Sequence, residues 1–145
     1  ASLALAFCFS APGKTRYARR RDEKGERVMA TITLQRVYDF SAPAPAHCYL
    51  IDRLWPRGIS KERLAGVQWL KQVAPDDELR KWFHQHTDQW EAFEARYRQQ
   101  LAANDAWQPL VALLRQGEAL TLLYGSKDTE HNQGVVLREF LLAQL

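Results

Sequence analysis

The sequence predicts a small α/β domain, a largely parallel sheet of about four strands covered by helices. Three observations predict it. Short apolar or β-branched runs at 31–37, 48–52, 67–73 and 119–124 have the length of strands. Between the last two runs, and again after the final one, apolar residues recur at helical spacing. Strand signals that alternate with helical stretches are the pattern of a helix-covered parallel sheet. A chain of 145 residues, 46% hydrophobic with five tryptophans, can build one compact core of this kind.

The first segment stands apart. Residues 1–28 hold seven of the twenty Lys and Arg (Lys14, Arg16, Arg19, Arg20, Arg21, Lys24 and Arg27) and three of the seventeen acids (Asp22, Glu23 and Glu26), a net charge of +4. The remaining thirteen basic and fourteen acidic residues give 29–145 a charge of −1, so the basic isoelectric point belongs to the N-terminal segment. Its stretch from Arg19 to Arg27 shows no helix or strand period, and 1–28 is expected to be a disordered extension, an over-long start or vector-derived residue, with Met29 as the natural start. Its apolar stretch precedes its charges, the reverse of a secretory signal.

From Met29 the elements follow in order. Residues 31–37 alternate and are β-branched, a strand; an antiparallel edge position for it, in an α+β arrangement, stays open. Pro43 and Pro45 punctuate a loop, and Cys48, Tyr49, Leu50 and Ile51 form a second, buried strand. Ser60 can cap a short helix through about Leu64, which Gly66 ends. Residues 67–73 read as a third strand, stopped by Ala74-Pro75-Asp76. Asp76 or Asp77 begins a helix that carries Leu79, Trp82 and Phe83 to the core. A longer helix starts near Thr87 or Asp88, with Trp90, Phe93, Tyr97 and Leu101 on one stripe. Trp107, Leu110, Val111 and Leu114 mark a third, with Gly117 past its end. Residues 119–124 are continuously apolar, as in a strand covered on both faces. The last helix runs from about Glu130 to Ala143. Trp69, Trp82, Trp90 and Trp107 sit at core periods.

Several function classes are disfavoured. No apolar run reaches about 18 residues, so no membrane span is expected. Cys8 and Cys48 form no framework and suit a reducing cytoplasm. No Walker loop, dinucleotide fingerprint, nucleophile elbow or zinc pattern occurs, so neither cofactor nor metal is expected; His84 and His86, two apart at a helix end, are weak metal spacing. The charge of 29–145 does not support nucleic-acid binding.

Ligands in open α/β sheets bind outside the carboxyl ends of the strands. The second strand delivers Asp52, Arg53, Arg57 and Lys61 there, on a loop that Pro56 stiffens and Gly58 turns. The third delivers Asp76 and Asp77 with Arg80 and Lys81 a turn later. The last delivers Tyr124, Gly125, Ser126, Lys127 and Asp128, followed by His131 and Asn132. Such a set suits an anion, gripped by arginine forks, a lysine and helix N-terminal N–H groups. Asp52 and Asp128 can orient those arginines, hold ribose hydroxyls or act as general base, and His131 titrates near neutrality. Trp55 can offer a stacking face. Against this stands a structural reading. In it Asp52 pairs with Arg53 or Arg57 to close a loop, Asp128 is only a cap, and Asn132 only starts a helix.

The decapeptide from Asp52 to Lys61, Asp-Arg-Leu-Trp-Pro-Arg-Gly-Ile-Ser-Lys, resembles the signature of the YeaO-like proteins, the family of the domain of unknown function 488 (DUF488). Three further blocks agree: Ala74-Pro75 with Leu79, Arg80, Lys81, Trp82 and Phe83; Trp90, Glu91, Ala92 and Phe93 with Arg96 and Tyr97; and Thr121 to Tyr124 with Lys127, Asp128 and Asn132. The resemblance covers 29–145. It implies a small cytoplasmic bacterial α/β protein and brings no established activity. Gln100 stands where relatives tend to have glutamate, and it is left out of the site.

The expected function is that of an enzyme acting on a phosphorylated or nucleotide-like small molecule by hydrolysis or group transfer. Asp52, Asp128 and His131 are its candidate catalytic residues. Arg53, Trp55, Arg57, Lys61, Arg80, Tyr124, Lys127 and Asn132 are the candidate binding residues. The alternatives are a non-catalytic anion or nucleic-acid binding module and a protein-interaction domain.

Overall fold

The structure, a computed structural model, describes residues 14–21 and 27–145, with side chains described from residue 31 onward. Among these residues five strands form one sheet in the order β1-β2-β5-β3-β4. β2 (Arg27–Arg36), β5 (Leu120–Tyr124), β3 (Cys48–Leu50) and β4 (Gln68–Trp69) run parallel, and β1 (Lys14–Arg21) pairs antiparallel with β2. The central strand is β5, with Ile32 to Arg36 on one side and Cys48 to Leu50 on the other. The antiparallel edge left open for 31–37 is therefore occupied by β1, and β2 is a parallel strand.

Several expectations need correction. β1 takes in residues 19–21, part of the stretch read as lacking a strand period. A charged edge strand is held by its backbone ladder and needs no apolar alternation. What was expected of 1–13 and 22–26 lies outside the described residues. The strand read at 67–73 shrinks to Gln68–Trp69, after which Leu70 N–H donates to the Leu50 carbonyl (2.8 Å) and Lys71–Val73 form a 3-10 turn. Trp69 is also no core residue. It is 38% exposed, and its Nε1 donates to the Asp52 carbonyl at 2.7 Å.

The helices start and stop where local chemistry dictates. Asp76 caps α1 (Asp77–Gln85) by accepting from Leu79 N–H at 2.8 Å, while Gln100 accepts from Asp76 N–H at 3.1 Å. α2 (Trp90–Ala102) buries Phe93, Tyr97 and Leu101. α3 (Gln108–Arg115) closes with paired bonds from Gly117 to Leu114 and from Glu118 to Leu113, the Schellman arrangement. Asn132 caps α4 (Gln133–Ala143). Ser60 caps only a turn, through Arg63 N–H. No helix among the described residues is long and apolar enough to cross a membrane.

Side-chain alternation divides the core between the two sheet faces. Leu120, Leu122 and Tyr124 of β5, with Tyr49 and Ile51, pack with residues of all four helices. Leu123, Cys48 and Leu50 face the other way, onto Val37, Phe40, Ile59 and Leu64. The helices thus cover one face, and the segments after β2 and β3 cover the other. Each fully buried leucine contributes about 2 kcal/mol, so β5 alone anchors both layers.

Candidate functional site

At the carboxyl ends of β2, β3 and β5 lies a cleft of about 550 Å³. One wall is the loop after β3, with Arg53, Leu54, Trp55 and Pro56, together with Tyr38 from beyond β2. The opposite wall carries Arg80, Phe83 and His84 of α1, Thr87, and Phe93 of α2. Gly125, Ser126, Lys127 and Asp128 follow β5 into the cleft, and His131, Asn132 and Gln133 enter at the start of α4. Parallel strands with a shared polarity bring these distant segments to one rim.

The β3 loop is shaped by its own sequence. Gly58 takes φ +80° and Ile59 N–H donates to the Pro56 carbonyl at 3.4 Å, so the chain turns back on itself. Trp55 is half-buried, with Nε1 donating to the Ile59 carbonyl at 2.7 Å and its ring edge-on to Trp69 at 5.4 Å. The same turn sends Arg57 outward: it is exposed, and its carbonyl accepts from the Tyr38 hydroxyl at 3.0 Å. Arg57 and Lys61 do not line the cleft. Tyr124 does not either; it is buried and lines a separate cleft of about 520 Å³ beside Arg36 and Arg138.

Asp52 makes no ion pair with Arg53 or Arg57 among the described residues. Gln133 donates from Nε2 to its Oδ1, and its own carbonyl is held by Trp69. A Cβ on residue 125 would lie 2.6 Å from Asp52 Oδ2, so only glycine allows this close approach. Burial pushes the Asp52 carboxyl up to about 6, although the Gly125 N–H, Gln133 and the Arg80 charge all oppose the rise. Arg53 donates to the Pro75 and Ala74 carbonyls at 3.2 and 3.1 Å, bracing the loop before α1. Arg80 pairs with Asp77 at 3.3 Å, and its buried Nε has no hydrogen-bond partner among the described residues.

The third corner is built on two successive turns. Asp128 Oδ1 accepts from the N–H groups of Glu130 and His131 at 2.9 and 3.0 Å, and these bonds hold its carboxyl below the ordinary range. His131 Nδ1 lies 3.5 Å from Asp128 Oδ2, and its ring packs on Trp90 at 4.8 Å. Asn132, 2% exposed, caps α4 through Val135 N–H and donates to the Asp128 carbonyl at 2.8 Å. Lys127 is exposed at the rim.

Of the residues singled out from the sequence, the cleft gathers Asp52, Arg53, Trp55, Arg80, Lys127, Asp128, His131 and Asn132. Sequence reasoning missed Tyr38 and Gln133, which carry no motif, and assigned Phe83 and Phe93 to packing alone. Helical spacing marks a face as apolar without telling which end of it meets a cleft. No three His, Cys, Asp or Glu side chains among the described residues cluster to hold a metal ion.

Comparison with known proteins places this geometry in a family setting. The sequence profile DUF488-N3i, described as the inactive DUF488-N3 subclade, matches residues 31–145. The uncharacterized protein YeaO of Escherichia coli strain K12 is 38% identical over 110 residues, which cover 76% of this chain and 96% of YeaO. The uncharacterized proteins Rv3073c of Mycobacterium tuberculosis H37Rv and Mb3100c of Mycobacterium bovis are each 30% identical over 110 residues, covering 76% of this chain and 92% of their own. No solved structure matches the chain at a significant level.

Proposed function

The chain belongs to the DUF488-N3i family, and on that premise we propose that it binds a phosphate-bearing, nucleotide-like small molecule in the cleft without turning it over. The observation that carries the proposal is Arg80, a residue of the cleft lining whose buried Nε has no hydrogen-bond partner among the described residues. A buried guanidinium donor left unpaired is costly, and an anion satisfies it. Lys127 at the rim adds a second positive charge, and Trp55, Phe83 and Phe93 supply apolar surface for a flat group. The net charge of −1 over 29–145 favours a small molecule over a nucleic acid. The description of the matching family as inactive supports binding over turnover.

An acid/base role for Asp52 is the second reading, favoured by its carboxyl pKa of about 6. A thermal-shift screen of the full chain against inorganic phosphate, nucleotides, sugar phosphates and dicarboxylates, with product analysis of every stabilising compound, tests both. A ligand at 100 times its dissociation constant adds about 2.7 kcal/mol to the native state. That shift is expected for a phosphate compound, is lost in Arg80→Ala, and persists in Arg57→Ala. Silence across the panel overturns the binding reading, and conversion of a bound compound restores the enzyme.

A further inference from the structure

Asp52 is more firmly held than a loop carboxylate needs to be. Its carbonyl is fixed by Trp69 Nε1 at 2.7 Å, its Oδ1 by Gln133 Nε2, and its Oδ2 sits against the backbone of Gly125 with no room for a Cβ. These contacts come from β4, α4 and the end of β5: the first fixes the backbone of Asp52, and the other two aim its side chain. A carboxylate offers roughly four acceptor positions. The Gln133 amide and the Gly125 N–H use two of them. The rest remain on a group that lines the cleft alongside Arg80, which acts on Asp52 through its charge.

We propose that Asp52 selects the ligand: its carboxylate accepts hydrogen bonds from donor groups, sugar hydroxyls or ring N–H, on the molecule whose anionic end Arg80 holds. The inference rests on the binding function proposed above and narrows the ligand class to phosphate esters that carry donors. A simple anion gains nothing from Asp52, because a carboxylate repels it. A phosphate ester with hydroxyl or N–H groups meets both halves of the cleft. Gly125 is then a positioning residue, since any side chain there would displace the Asp52 carboxylate.

Four probes test this by calorimetric titration of the full chain: inorganic phosphate, propyl phosphate, ribose 5-phosphate and dideoxyguanosine monophosphate. The first two have no donors beyond the phosphate, the third has sugar hydroxyls, and the fourth has ring N–H groups without sugar hydroxyls. A hydrogen bond to a charged acceptor is worth at least about tenfold in affinity. Ribose 5-phosphate or the dideoxynucleotide is therefore expected to bind at least about tenfold more tightly than propyl phosphate. Tighter binding of ribose 5-phosphate assigns the donors to hydroxyls, and tighter binding of the nucleotide alone assigns them to the ring. In Asp52→Asn that gain should shrink to less than about threefold, while inorganic phosphate, relieved of the repelling carboxylate, binds no more weakly than before. The comparison among probes in the unmodified protein stands even where the variant does not fold. Equal binding of all four, or a gain that survives in Asp52→Asn, overturns the inference and leaves the anion site intact. Binding of none overturns the function from which it was drawn.

Discussion

Asp52 carries a cost that shows in its titration. Its carboxyl rises from 3.8 to about 6 on folding, chiefly through burial. A raised folded-state pKa means that its contribution to stability is fully present below pH 3.8 and is lost as pH climbs through about 6. The loss at neutral pH is on the order of 3 kcal/mol. Denaturant unfolding at several pH values should therefore show a decline between pH 4 and 6 that Asp52→Asn flattens; an unchanged slope in the variant would place the titration elsewhere. The residue itself was legible in the sequence as an acid at the end of an apolar strand. Its partners were not. Gln133 lies 81 positions away and looks like any polar residue in a first helical turn, and only the fold brings Gly125 against the carboxylate. Arg53 was legible as a residue of the right loop but not in its role, because a guanidinium bonded to carbonyls and one awaiting an anion look alike in one dimension.

Among elements, α4 depends most on its entry. Asn132 is almost fully buried, caps the helix through Val135 N–H, bonds the Asp128 carbonyl and meets the Tyr124 hydroxyl. Asn132→Ala removes the cap and takes a partner from the buried Tyr124 hydroxyl, so a loss of about 2 kcal/mol is expected in chemical unfolding. A loss within experimental error would mean that water replaces the cap. Asp128, by contrast, is exposed, and its lowered pKa places its stabilising effect above pH 3.8, to be lost only in more acidic solution. Asp128→Asn should change acid unfolding below that value and leave the pH 4–6 decline untouched. The helices were readable because caps and stripes are local signals, as Asp76 and Gly117 illustrate. β1 and β4 were not. One is an edge strand without an apolar face. The other ends after two residues because Trp69 turns outward to hold the Asp52 carbonyl.

At the scale of the whole molecule, the helix-covered layer and the loop-covered layer meet at residues 73–75. From the helical side, the Tyr97 hydroxyl, fully buried on α2, donates to the Val73 carbonyl. From the cleft side, Arg53 donates to the next two carbonyls, Ala74 and Pro75. One short segment thus ties α2 to the β3 loop and sets the position from which α1, with Arg80, begins. Tyr97→Phe leaves the Val73 carbonyl unsatisfied in the core and should cost about 1–3 kcal/mol. Arg53→Ala should lower the melting temperature and weaken phosphate binding together, because it frees the segment that places Arg80. If the segment acts as one clamp, the double variant loses less than the sum of the singles, with a coupling of about 0.5–3 kcal/mol in a double-mutant cycle. Strict additivity would show that the two sides hold the segment independently. The cleft would then owe its shape to the β3 loop alone.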